Sequence, residues 1–351
     1  MWASTSRGGW GRRVRRRVVL LLLALALAAP ASSRHADAVG PSVSAVGTVA
    51  ITVASAERSA AFYSEVLGFE RIAETEVRGE EWERLQGVPG LRLRVVGLRL
   101  GDERLDLVEY LSPSGRPIPA DSRSQDHAFQ HVAIIVSDMD RAYARLREAG
   151  VEHVSPAPQR LPDWNPNAGG IRAFYFKDPD GHALEVLWFP PGKGEAKWQG
   201  GDRLFLGIDH TAIVVADTAR SLACYRDALG LRVAGESENW GPEQERLNNV
   251  AGARLRITTL RAPAGPGVEF LEYVTPRDGR PAPADTRAND LAHWQTTLVT
   301  HDAAALERTL RGGACAVQAG GVVATPRRQL GFTRGFRVLD PDRHALRIVQ
   351  R

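Results

Sequence analysis

Only two cysteines occur, Cys224 and Cys315, far apart and outside any metal-ligand spacing. A cysteine-held metal is therefore excluded. A single bridge is allowed but not implied, so the expectation is two small core residues. No basic tract lies beyond the N-terminal segment, which removes nucleic acid as a partner despite a pI near 9.3. The apolar run Val18–Ala29 has twelve residues, too few to cross a bilayer as a helix. No cysteine follows it, which argues against a lipoprotein. Cys224 has no histidine beside it, so nucleophilic thiol catalysis has no support.

What precedes and follows that run is informative. Arg7, Arg12, Arg13, Arg15, Arg16 and Arg17 come before it, and small residues follow at Ala29-Pro30-Ala31 and Ala36-Asp37-Ala38. A basic head, a short apolar core and small cleavage residues read as a secretory signal peptide over residues 1–38, cut near Ala31 or Ala38. An uncleaved anchor is the alternative. The expected location is exported, periplasmic or secreted, with no stable membrane insertion after cleavage. The head also accounts for the basic balance: without its six arginines the formal charge of +4 becomes −2. The remaining chain, roughly 315 residues, suggests two domains.

Three short runs stand out in the second half: GIDHTAIVV with His210, VEFLEYV with Glu272 and LAHWQTTLV with His293. All read as β-strands, rich in β-branched residues and bounded by Gly, Asp or Pro. Imidazoles and a carboxylate are costly to bury on strands unless something pairs with them. A divalent metal satisfies all three and leaves positions for substrate, the pattern of a catalytic centre. Alternation puts Val268, Phe270 and Glu272 on one strand face, and likewise His210, Ala212 and Val214.

The chain is also duplicated. Val49–Val53 with ERSAAFYSEVLGFE matches Thr211–Val215 with ARSLACYRDALGLR; LDLVEYLSPSGRPIPADSR matches VEFLEYVTPRDGRPAPADTR; DPDGHALEVLWF matches DPDRHALRIVQR. Thr48 to His210, His131 to His293 and Glu185 to Arg347 each lie 162 apart, and Glu109 to Glu272 lies 163 apart. So long a repeat means two homologous halves, 45–190 and 206–351, joined by the Gly/Pro-rich linker 191–205. Each half repeats a β-α-β-β-β pattern within itself. One such unit cannot close a core, so units must bury each other's open sheet faces.

These residues resemble the vicinal oxygen chelate superfamily, which includes glyoxalase I, extradiol dioxygenases and bleomycin-resistance proteins. The resemblance rests on ERSAAFYSEVLGF, the repeated VEY/LEY strand and DPDGHALEVLW, and it spans the chain after the N-terminal segment. It implies an α+β fold of four βαβββ modules, paired into two domains with cup-shaped, mostly antiparallel sheets. It also implies a metal at the cup's base, held by residues of the first and last strands of each unit. Carried over, the first-half positions are Thr48, Glu109, His131 and Glu185; those of the second half are His210, Glu272, His293 and Arg347. The first choice for the metal is His210, Glu272 and His293; the second is Glu109, His131 and Glu185. Arg347 stands where a carboxylate is expected, and becomes a clamp for an anionic substrate oxygen next to Glu272 as catalytic carboxylate. The implied cofactor is a divalent metal, with Fe, Mn, Zn and Ni not distinguished. The implied activity is metal-dependent chemistry on a small oxygen-rich substrate chelated through adjacent oxygens. The alternative is a ligand-sequestering protein that catalyses nothing.

Overall fold

The structure, a computed structural model, describes residues 42–351, apart from the side chains of Arg327 and Arg328. The expected signal peptide lies outside the described residues. Among those described, no helix is long and apolar enough to cross a membrane.

Four units follow in order. The first comprises β1 (Val43–Val53), α1 (Ala56–Glu65), β2 (Glu70–Arg78), α2 (Glu80–Gln86), β3 (Arg92–Leu100) and β4 (Glu103–Ser112). In the second come β5 (Gln130–Val136), α3 (Met139–Glu148), β6 (Glu152–His153), β7 (Gln159–Arg160), β8 (Arg172–Lys177) and β9 (Ala183–Trp188). The third has β10 (Phe205–Val214), α4 (Thr218–Leu222, continued as a π-helical turn to Ala228), β11 (Arg232–Trp240), α5 (Pro242–Asn248), β12 (Arg254–Arg261) and β13 (Gly267–Thr275). The fourth has β14 (Trp294–Thr300), α6 (Ala303–Leu310), β15 (Ala316–Val317), β16 (Val323–Ala324), α7 (Arg327–Leu330), β17 (Arg334–Leu339) and β18 (Ala345–Gln350). The first helix of each unit begins at a side-chain cap. Ser55, Asp138, Asp217 and Asp302 each accept a hydrogen bond from the backbone N–H three residues on.

The strands form two nine-stranded sheets, and neither belongs to one half of the chain. Sheet A joins units one and four, in the order β15-β17-β18-β14-β1-β4-β3-β2 with β16 also paired to β17; sheet B joins units three and two, as β11-β12-β13-β10-β5-β9-β8-β6 with β7 also paired to β8. The seams are the antiparallel pairs β1–β14 and β10–β5. Each half is instead united behind the sheets. Tyr63 and Ala60 of α1 share one core with Leu146 of α3, Ile51 of sheet A and Ile134 of sheet B. Tyr225, Leu306, Phe270 and Ile348 do the same in the second half. Each fully buried large apolar side chain contributes about 1.5–3 kcal/mol, so helix packing and sheet pairing lock the halves together in both directions.

The repeated motifs are the fasteners. In the DPDGH and DPDRH turns, Asp178 accepts from Tyr63 Oη and Asp340 from Tyr225 Oη, both at 3.2 Å. His182 and His344 turn Nδ1 to the same aspartates at 2.9 Å, which makes them turn residues, as the hairpin spacing suggests. The two GRPxPAD loops clasp each other: Arg116 binds Asp290, and Arg280 binds Asp126. Their glycines permit the approach, since a Cβ at Gly115 or Gly279 would sit 1.9 or 2.1 Å from a carbonyl oxygen of the facing loop. One expectation is corrected here. Cys224 and Cys315 are joined as a disulfide, not packed as separate core residues. The two thiols come from the π-helical turn after α4 and the segment after α6, which the second-half core brings together.

Candidate metal centre

The base of the sheet-B cup gathers His131 on β5, Glu185 on β9 and His210 on β10, with ligand atoms all within 4.8 Å of one another. Glu185 Oε2 lies 3.2 Å from His131 Nε2 and 3.8 Å from His210 Nε2. A fourth side chain, Glu269 on β13, brings Oε1 to 3.5 Å from His210 Nε2. Strand alternation aims all four inward. His210 shares its face with Ala212 and Val214, and Glu269 shares its face with Leu271 and Tyr273, all in the apolar lining of the cup. The cup opens into a cavity of about 1110 Å³ lined by Tyr175, Leu161, Asn239, Leu247 and Arg261 among others.

The donor set fits a divalent cation. Although carboxylate oxygens lie close by, Nε2 of both His131 and His210 is buried and makes no aligned hydrogen bond among the described residues, an arrangement costly to leave unmet. His210 is oriented from behind: its Nδ1 lies 2.8 Å from Asp209 Oδ2. Asp209 in turn accepts from Arg261 at 2.8 Å and from Trp198 Nε1 at 3.1 Å. Such outer carboxylates fix the ring and strengthen its nitrogen as a ligand. Burial opposes a charge on His210, but Glu269, Asp209 and Glu185 outweigh it and raise the imidazole to about 9. Burial likewise opposes ionisation of Asp209, and His210 and Arg261 overcome it and hold the carboxyl low. The site is short of positive charge, which a divalent cation would supply.

The structure regroups the expected ligands, and each correction has a physical cause. His210, Glu272 and His293 do not converge. Glu272 shares a face with Val268 and Phe270, and that face packs on helices: Glu272 Oε2 accepts from Thr218 N at the start of α4 and pairs with Arg256. His293 precedes β14 in sheet A, the other cup. There burial, then Arg337 and Arg347, depress its imidazole to about 3. Of the second set, His131 and Glu185 do meet, but Glu109 points to the helices, where Oε2 accepts from Ala56 N of α1. Arg347 also lies in sheet A, with Thr297 and Asp106, so it clamps nothing beside His210. Thr48 donates to Arg104 O, also in sheet A. Glu269 was missed, although VEFLEYV carries two glutamates on opposite faces. The signal was in the helix caps: Asp138 and Asp302 lie 164 apart, so His131 corresponds to Gln295, not His293.

The loop from Leu161 to Ile171 closes one end of this cavity. Asn165 reaches from it to Asn239 Oδ1 at 2.7 Å, tying unit two to unit three across the cup.

Comparison with known proteins agrees with this architecture. Glyoxalase I from Zea mays superposes with a TM-score of 0.56 at 13% identity, covering 88% of this chain and 92% of that one. A putative dioxygenase from Bacillus subtilis gives 0.53 at 15% identity, covering 88% and 86%. At such identities the likeness is one of fold. A 2-epi-5-epi-valiolone epimerase from an Actinomyces species is 35% identical over 158 residues, 43% of this chain and 83% of that protein. The profile of one family matches twice, over residues 45–186 and 207–348, once on each half. The chain is thus a member of the Glyoxalase/Bleomycin resistance protein/Dioxygenase superfamily, the vicinal oxygen chelate fold.

Proposed function

We propose that the protein is a metal-dependent epimerase or isomerase that moves a proton on a small, oxygen-rich substrate seated in the sheet-B cup. The observation that carries this reading is the meeting of His131, Glu185, His210 and Glu269, with ring nitrogens of both histidines left without an aligned hydrogen bond among the described residues. A divalent cation held by these side chains would polarise a substrate oxygen and acidify the neighbouring C–H bond. Glu269 is the more open carboxylate, its side chain 16% exposed against 5% for Glu185. Thr259 holds its Oε2 at 2.9 Å and leaves Oε1 facing the site, placed to accept the proton. Glu185 stands three strands away, with β10 and β5 between, and, entering the cycle in its acid form while the two histidines hold the cation, would give its proton to the opposite face of the same carbon. Removal on one side and return on the other inverts a stereocentre. A two-carboxylate set suits this better than dioxygen activation, which uses two histidines and one carboxylate. The Actinomyces relative, an epimerase by name, supports the same reaction class.

Action outside the cytoplasm is part of the proposal. It is supported by the basic and apolar N-terminal segment and by the Cys224–Cys315 bond, which persists in an oxidising compartment. The test is metal content of the purified protein together with solvent deuterium uptake into 2-epi-5-epi-valiolone. We expect near-stoichiometric divalent metal in the wild type, its loss in His131→Ala and His210→Ala, and deuterium uptake that needs the metal. A wild type that stays metal-free after supplementation, or His131→Ala retaining full metal, would overturn the proposal.

A further inference from the structure

The strand registers give every residue at the base of the sheet-B cup a counterpart in sheet A. His210 opposite Ala133 matches Thr48 opposite Thr297, and His131 opposite Ala212 matches Gln295 opposite Ala50. Glu269 beside Ala212 matches Asp106 beside Ala50. Glu185 with its neighbour Tyr175 matches Arg347 with its neighbour Arg337. Two imidazoles, two carboxylates and a phenol thus become an amide, a hydroxyl, one carboxylate and two guanidiniums. The scaffold is kept and its charge preference is reversed.

The geometry points to the sheet-A cup as a binding site for a small oxyanion, a carboxylate or phosphate, held at Arg337 with His293 and Gln295 as further polar partners. Asp106 answers only one of the two cations. Its Oδ2 lies 3.8 Å from Arg347, which is 3% exposed and otherwise donates to the neutral Thr297 hydroxyl at 2.9 and 3.2 Å. Arg337 has no carboxylate within 4 Å among the described residues, and its Nε is buried without a partner. Arg337 is only partly buried, and its guanidinium keeps its proton where it lines the adjoining cavity, so it is open to an anion entering from solvent. Nε2 of His293 and Nε2 of Gln295 are likewise buried and unpartnered, and Gln295 is 3% exposed. Donors predominate, so the missing group brings oxygen acceptors. Trp82, Tyr110 and Phe332 fill the cup itself on Val95 and Val108. Access is therefore from the adjoining cavity of about 1140 Å³, which Arg337 and His293 both line. Gly87 admits the guanidinium at its edge: a Cβ there would lie 2.5 Å from Arg337 Nη2.

Thermal melting of the full-length protein in chloride buffers of matched ionic strength provides the test, with inorganic phosphate and acetate as probes. In the wild type the melting temperature should rise with phosphate, acetate or both, and the probe that acts identifies the class of anion. Arg337→Met should abolish that rise. Removing a merely structural arginine would leave the anion response in place. His293→Phe, which installs the residue found at the matching sheet-B position (Phe129), should weaken the response while leaving metal content unchanged. A wild type indifferent to both anions, or Arg337→Met responding as the wild type does, would sink the assignment. If Arg337→Met does not fold, an undiminished response in both His293→Phe and Gln295→Leu would sink it equally.

Discussion

Glu269 and Glu272 stand three residues apart on β13, and the structure gives them opposite duties. Replacing each by glutamine separates the two faces of one strand. Glu272 accepts from Thr218 N at 3.2 Å and pairs with an Arg256 whose side chain is half exposed. A glutamine keeps an acceptor oxygen and loses the charge at a helix N-terminus and one half-exposed ion pair, together about 1 kcal/mol. That corresponds to a fall in melting temperature of roughly 1–2 °C for a chain of this size, with metal content and turnover unchanged. Glu269 touches no helix; its oxygens meet Thr259 and face His210. Glu269→Gln should lower turnover by about 10²–10⁴-fold, the usual worth of a positioned base, with little change in melting temperature. Differential scanning fluorimetry, metal analysis and deuterium uptake on both variants decide the matter. If Glu272→Gln loses metal or turnover while Glu269→Gln keeps both, the assignment of the strand faces is wrong.

Three further outcomes follow from separate parts of the molecule. The bond between Cys224 and Cys315 closes a separation of 91 residues, and removing it should cost about 2–5 kcal/mol, towards the upper end for so long a loop. Urea unfolding with and without a reductant, and of the Cys224→Ser/Cys315→Ser double variant, reads this, and an unmoved midpoint would show that the bond contributes nothing. Burial works against ionisation of Asp126, but Arg280, Arg123 and backbone N–H groups overcome it and hold the carboxyl at about 2. Its contribution is thus present above the ordinary carboxylate range and lost as pH falls from about 4 to 2. Asp126→Asn should be less stable than wild type at neutral pH, and the gap should close in that acid window; equal acid profiles would contradict it. Breaking the matching clasp with Arg116→Ala should lower the melting temperature without altering metal content, since the loops it joins touch none of the four candidate ligands.

The fold was legible because its signals are local. Alternating β-branched runs, the caps at Asp138, Asp217 and Asp302, and the duplicated tyrosine-bearing helices each need only a few neighbouring residues to be read. The duplication extended that reading to the whole chain. His131, Glu185 and His210 were legible as polar side chains on apolar strands, but their grouping was not. Sequence shows that Glu269 and Glu272 face opposite ways on β13; it does not show which way is the cup. That depends on where the helices pack, and Phe270 against Tyr225 marks Glu272's side as the helix side.

What the amino-acid sequence determined by itself is the set of parts: four like units, the helix caps, the DPD turns and an inventory of buried charge. What only tertiary structure decided is which units share a sheet. β1 finds β14 and β10 finds β5, so one cup collects two imidazoles and two carboxylates while the other collects two guanidiniums. The reason is physical. A strand's pattern specifies the faces it presents, but its partner is chosen by the packing of whole units, through cores in which helices and sheets from both halves are buried together.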